Sequence, residues 1–153
     1  MLRRQFVQSF VGVATATVCL SGAMAQSRPK VEVWKDPSCG CCGDWVLHLQ
    51  ANGFQVHMHD TGNDVARKHL GIPEKLGSCH TALVDGYAVE GHVPAREIKR
   101  LLKERPQAIG LAVPGMPVGS PGMDGPIYGG RKDAYSVLLV QRNGNTSVYQ
   151  SYS

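Results

Sequence analysis

The chain has 153 residues, with 16 Lys and Arg against 12 Asp and Glu, for a formal net charge of +4. That length suits one domain with a real hydrophobic core, and the charge is too weak to argue for nucleic acid. No run of five or more basic residues occurs, and no internal repeat is visible.

The first 25 residues read as a secretory signal. Arg3 and Arg4 form a positive start, Phe6 to Leu20 is mostly apolar, and Ala23-Met24-Ala25 is a small-x-small cleavage site. A membrane anchor competes with this reading, but the apolar run is short and the Ala-x-Ala ending favours removal. Arg3-Arg4-Gln5-Phe6-Val7 also resembles a twin-arginine signal, so both the Sec and the twin-arginine route are open. Removing residues 1–25 from 153 leaves 128, takes Cys19 away, and leaves Cys39, Cys41, Cys42 and Cys79. Without Arg3 and Arg4 the basic count falls from 16 to 14 against 12 acids, a net charge of about +2. The expected home is the periplasm, with no membrane insertion once the signal is gone, and a compartment where disulfides are permitted. Thiols meant to stay reduced there need protection, which a bound soft metal provides.

Val31–Lys35 alternates apolar and polar residues and reads as the first strand. After it come Asp36-Pro37-Ser38-Cys39-Gly40-Cys41-Cys42-Gly43-Asp44-Trp45, then a helix over Cys41–Ala51 that buries Val46 and Leu49 and stops at Asn52-Gly53. Three cysteines thus sit at a strand-to-helix turn, where unpaired N–H groups and the helix dipole favour thiolate. Cys39 and Cys42 have the Cys-x-x-Cys spacing of dithiol redox proteins. Cys41 breaks that pattern by competing for the disulfide. Cys41 and Cys42, being adjacent, are badly placed to share one tetrahedral zinc and better placed to hold neighbouring soft metal ions with sulfur between them. Plain structural disulfides are the alternative.

Phe54–His59 reads as a second strand, at the sheet edge. Its His57 and His59 share one face, read as a polar outer surface or as a second metal site. Asn63–His69 is a short helix ended by Gly71-Ile72-Pro73, and His69 falls at its C-terminal end. His80–Val84 and Tyr87–Glu90 flank Asp85-Gly86, a two-residue hairpin signal. Pro94–Glu104 is a helix with Ile98, Leu101 and Leu102 at helical spacing. This order predicts an α/β protein of thioredoxin-like arrangement, with parallel neighbours joined by right-handed crossovers and one antiparallel edge. Residues 106–131 are dense in Pro and Gly and predict a long loop with no helix or central strand, packed through Leu111, Val113, Met116 and Met123. Tyr135–Gln141 and Thr146–Tyr152 flank Asn143-Gly144 as a terminal hairpin. The division expected is signal 1–25, thioredoxin-like domain 26–105, and a loop-and-hairpin extension of that domain over 106–153.

In such a fold Cys79, just before the third strand, faces the three cysteines, unless it is simply a buried thiol. His92, in Gly91-His92-Val93-Pro94, borders the same end and is either a ligand or a solvated helix-start residue. His80 ranks below it, because strand alternation turns it away from Cys79. His48, two turns into the first helix, reads as structural. Met116 and Met123 carry soft thioethers suited to Cu(I) that need no deprotonation, and their Gly and Pro neighbours suit a loop closing over a site better than core packing.

Taken together, Pro37-Ser38-Cys39-Gly40-Cys41-Cys42, Ser78-Cys79-His80-Thr81, Glu90-Gly91-His92-Val93-Pro94-Ala95 and Gly110-Leu111-Ala112-Val113-Pro114-Gly115-Met116-Pro117 through Gly119-Ser120-Pro121-Gly122-Met123 resemble the CopG-like family of extracytoplasmic copper-resistance proteins. The resemblance implies a thioredoxin-like domain whose C-terminal extension helps bind metal, and a thiolate-bridged multicopper centre beside the Cys-x-Cys-Cys. It also implies interconversion of Cu(I) and Cu(II) ahead of export. The expectation is therefore a monomeric copper protein. Its metal ligands are Cys39, Cys41, Cys42, Cys79, Met116, Met123 and His92, and the chemistry lies at Cys39, Cys41 and Cys42. Copper ions are its partners, together with an efflux system or a periplasmic copper carrier. The rivals are a metal-free thiol–disulfide oxidoreductase using Cys39 and Cys42, and a passive carrier of one copper ion.

Overall fold

The computed structural model describes residues 27–153, and the signal expected over 1–25, with Cys19, lies outside them. The elements in chain order are β1 (Lys30–Lys35), α1 (Gly40–Ala51), β2 (Gln55–His59), α2 (Asp64–His69), β3 (His80–Val84), β4 (Tyr87–Glu90), α3 (Ala95–Glu104), β5 (Ala108–Ala112), β6 (Tyr135–Gln141) and β7 (Thr146–Tyr152). Short 3₁₀ turns at Glu74–Leu76 and Pro126–Tyr128 complete them. The strands form one seven-stranded sheet in the order β2-β1-β3-β4-β5-β6-β7. None of the described helices is long and apolar enough to cross a membrane.

Both hairpins lie where their turn residues demand. Asp85 and Gly86 take φ of 47° and 86°, the pair of positive values that matches a tight turn to the twist of β3 and β4. Arg105 in the left-handed region ends α3.

Two expectations are corrected. The antiparallel strand is not at an edge: β3 pairs antiparallel with both β1 and β4, and the parallel pairs are β1 with β2 and β4 with β5. The Gly- and Pro-rich stretch also contains a central strand, β5, paired parallel with β4 and antiparallel with β6. Its breakers fall outside it, at Pro106 and Pro114. The one inside, Gly110, is there because the neighbouring backbone comes too close for a side chain. A Cβ at that position would stand 1.7 Å from Ala88 O.

One face of the sheet carries the main core. Val31 and Val33 of β1, Ala82 and Val84 of β3, and Val89 of β4 pack there against Trp45, Val46 and Leu49 of α1 and Ile98 and Leu101 of α3. Burying such side chains stabilises the fold by about 1.5–3 kcal/mol each, against the entropy of ordering them. A smaller cluster of Ile72, Leu76, Ala88, Ala112 and Val140 covers part of the opposite face. α1 is thereby held with its N-terminus beside the loops that precede β3 and α3.

Candidate metal centre

Between β1 and α1 the chain turns on Asp36, whose Oδ1 accepts from Ser38 N at 2.8 Å. Cys39 then occupies the N-cap of α1 without a side-chain cap bond. This places Cys39, Cys41 and Cys42 within the first turn of the helix. Cys79 arrives from the other side, on the loop before β3. The sulfurs of the four cysteines all lie within 4.8 Å of one another. Cys41 Sγ is 3.6 Å from Cys39 Sγ and 3.9 Å from Cys79 Sγ. Cys39 and Cys42 are joined as a disulfide, while Cys41 and Cys79 are free thiols.

His92 completes the group. Its Nδ1 is 2.8 Å from Pro121 O, and because a carbonyl only accepts, Nδ1 carries the proton. The Nε2 lone pair is left to face Cys79 Sγ at 3.1 Å. An imidazole whose one N–H is fixed by a carbonyl, so that the other nitrogen presents its lone pair, is how proteins orient a metal-binding histidine. Burial pushes the His92 pKa down, which keeps the ring neutral and its lone pair available. Burial, reinforced by the neighbouring Cys41, pushes the Cys79 thiol up to about 12. The metal-free centre is thus a protonated thiol donating to a neutral imidazole.

His80 lies closer to the centre than strand alternation suggests. Cys79 precedes the strand, so alternation does not govern the pair, and His80 Nδ1 comes within 3.4 Å of Cys79 Sγ. Its ring is fully buried, 4.3 Å from the Trp45 ring and 4.9 Å from that of His92. Burial above all, then His92, lowers its pKa to about 3. Its Nε2 has no hydrogen-bond partner among the described residues. Cys79, His80 and His92 form a second compact group sharing Cys79 with the first. Direct adjacency to Cys79 was the available sequence signal.

The loop before β3 is held by a buried carboxylate. Glu90 accepts from Ser78 N at 2.7 Å, Arg67 Nε at 2.8 Å and Thr81 Oγ1 at 2.6 Å. Asn63, at the N-cap position of α2 without a side-chain cap bond, donates to Ser78 O and Thr81 Oγ1. His48 is structural, its Nε2 accepting from Ala95 N at 3.1 Å at the start of α3.

The Gly/Pro/Met loop closes on the same end. Gly122 packs so tightly on α1 that a Cβ there would stand 2.6 Å from Cys41 O and 2.8 Å from Trp45 N. Ser78 Oγ donates to Gly115 O, tying the loop to the Cys79 turn as well. Met123 is buried, and its Sδ accepts from Tyr128 Oη at 3.2 Å. Met116 is about half exposed. The structure gathers the four cysteines, His80 and His92, and sets both methionines on the loop that covers them.

Four cysteine sulfurs and a fixed imidazole, half-buried where a helix N-terminus meets a mixed α/β sheet, define a mixed α/β protein with a cysteine cluster that could bind a metal ion. Comparison with known proteins makes the class specific. Residues 76–123 match a family model described as "Protein of unknown function, DUF411", a span holding Cys79, His80, His92 and both loop methionines. Two solved structures match over most of both chains. A structure of the copper resistance protein CopG, form 2, is 48% identical over 82% of this chain and 99% of its own, with a TM-score of 0.76. Form 1 is 49% identical over 80% and 96%, with a TM-score of 0.74. No curated protein matches the chain. The chain belongs to the family of the copper resistance protein CopG.

Proposed function

We propose that this chain is a periplasmic copper-binding protein in which Cys39, Cys41, Cys42, Cys79 and His92 hold a thiolate-bridged multinuclear copper centre. The observation that carries the reading is the convergence of four cysteine sulfurs with a histidine Nε2 already fixed for coordination. Four sulfurs so close suit Cu(I) shared through bridging thiolates. Copper held there supplies one-electron chemistry between Cu(I) and Cu(II), the step that serves copper resistance. The residues do the rest. Thiol–disulfide exchange with an external dithiol would reduce the Cys39–Cys42 disulfide to two thiols, the dithiol's two electrons and two protons passing to the cysteines and leaving it as a disulfide. Loss of the cysteine protons would ready both sulfurs for metal. His92 keeps its lone pair inward through Pro121. Met116 and Met123 would offer thioether donors from the loop, Met123 once its sulfur is free of Tyr128. Gly122 and Ser78 hold that loop over the cluster and limit the entry of water.

The strand order β2-β1-β3-β4 with an antiparallel β3 supports a thioredoxin-like core over residues 26–105. Residues 106–153 extend the same domain, since β5 and β6 are bonded into the same sheet. The export signal and a monomeric state belong to this reading, with an efflux system or a periplasmic copper carrier taking the metal on.

One observation favours a second reading. The Cys39–Cys42 disulfide is also what a thiol–disulfide oxidoreductase presents. That reading predicts turnover of a disulfide substrate by metal-free protein, and indifference to loss of Met116 and Met123.

The deciding experiment measures copper per chain and free thiols in protein purified anaerobically from copper-fed cells. Several copper ions per chain, with thiols blocked until a chelator is added, support the centre, and Cys41→Ser should lower the copper count. A metal-free wild type with reactive or disulfide-bonded cysteines would transfer the case to the oxidoreductase.

A further inference from the structure

A second group of donor atoms lies away from the cysteines, on the other face of the sheet. Val31 and Val33 of β1 point into the core under α1, so the alternating Glu32 and Trp34 point to the opposite face. β2 is the edge strand, and its register sets His57 opposite Glu32 and His59 opposite Trp34. His57 and His59, two apart on one strand, share a face with Glu32. One donor atom from each of the three lies within 4.8 Å of the others.

The group has the features of a built site. Glu32 Oε2 is 2.7 Å from His59 Nε2, and the Trp34 ring stacks on that of His59 at 5.0 Å and 14°, fixing its plane. The His57 ring stands edge-on 4.7 Å from that of His59 and is exposed to solvent, leaving the third donor open to an incoming ion. A carboxylate between two imidazoles is a harder donor set than the thiol cluster. It suits divalent first-row ions rather than Cu(I), and among these the Irving–Williams order favours Cu(II).

We propose that Glu32, His57 and His59 form a second, surface metal site that takes a divalent ion, Cu(II) most tightly, independently of the cysteine centre. Strand pairing preorganises it, since β1 and β2 hold the three donors in register before any metal arrives. Its donors are a carboxylate and two imidazoles, with no cysteine thiol among them to reduce a divalent ion.

The test is titration of the full-length chain with a Cu(II) salt after its thiols have been reduced and capped with iodoacetamide, which removes the cysteine centre from the readout. Electron paramagnetic resonance should show one equivalent of Cu(II) with nitrogen superhyperfine structure. Trp34 fluorescence should be quenched in parallel. His57→Ala, an exposed change that leaves the core untouched, should abolish the one-equivalent signal, as should His57→Ala with His59→Ala. Glu32→Gln should weaken binding, and Zn(II) should compete only at higher concentration. An unchanged nitrogen-coupled signal in His57→Ala, or no Cu(II) bound by the wild type, would overturn the site. Because the thiols are capped, neither result bears on the copper centre at the cysteines.

Discussion

Replacing Glu90 tests whether the cysteine cluster depends on a carboxylate that touches no sulfur. Glu90 is fully buried and accepts from Ser78 N, Arg67 Nε and Thr81 Oγ1. The Arg67 side chain is only 14% exposed, so the pair is shielded from solvent. Truncation to Ala leaves Arg67 Nε, Thr81 Oγ1 and Ser78 N–H, next to Cys79, without their acceptor, while the guanidinium keeps Asp64 and Ser78 O. Breaking a buried pair from one side costs about 3–5 kcal/mol, and because Arg67 retains Asp64 the loss expected here is at the lower end, about 3 kcal/mol. Glu90→Gln is milder. The amide oxygen can keep Arg67 and Ser78, and only the charge and the Thr81 hydroxyl's acceptor are lost. Burial also raises the Glu90 pKa despite its three donors, so the charge itself is held at some cost that Gln removes. The loss expected for Gln is therefore about 1–2 kcal/mol. Urea unfolding of the metal-free protein measures both, and copper retained per chain in a chelator challenge shows whether the Cys79 turn has loosened. Retention should fall in the order wild type, Gln, Ala. An Ala variant as stable as wild type, or one that keeps full copper, would refute the claim that Glu90 positions Cys79.

Gly122→Ala places a Cβ against Cys41 O and Trp45 N in a backbone at φ +85°, where a side chain alone costs about 1–2 kcal/mol. It should lift the loop and speed copper loss, whereas Gly125→Ala, with nothing within 4 Å, should not; equal loss rates would refute the loop's closing role. Metal-free protein should lose stability as pH falls below about 6.5, the ordinary histidine value, toward His80's folded value of about 3. The sign follows from protons bound: the unfolded chain protonates this ring and the folded chain resists, so acid favours unfolding, by about 2 kcal/mol at pH 5. His92, also shifted down, adds to the same slope. Denaturation midpoints across pH 4–8 should show the decline, and His80→Gln should flatten it; a slope unchanged by that substitution would remove His80 as its source.

The local elements were legible along the chain. Both hairpins announced themselves through Asp85-Gly86 and Asn143-Gly144: Asp85 and Gly86 both take positive φ in the first turn, and Gly144 does so in the second. α1 and α3 followed from apolar spacing and their breakers, and the Cys39, Cys41 and Cys42 grouping is set by chain adjacency. Pairing decisions between distant segments were not legible. β5 looked like loop because Gly110 and the flanking prolines are read as breakers, and only the approach of Ala88 O shows why a glycine is needed inside that strand. The internal antiparallel placement of β3 depends on which partner covers each edge. Within the centre, the sequence named Cys79 and His92 as candidates, yet His92's free nitrogen is decided by Pro121, 29 residues away, and His80's burial by Trp45. Residue type and local spacing settle which donors the chain owns. Which lone pair points inward depends on long-range packing and hydrogen bonds, which no local pattern encodes.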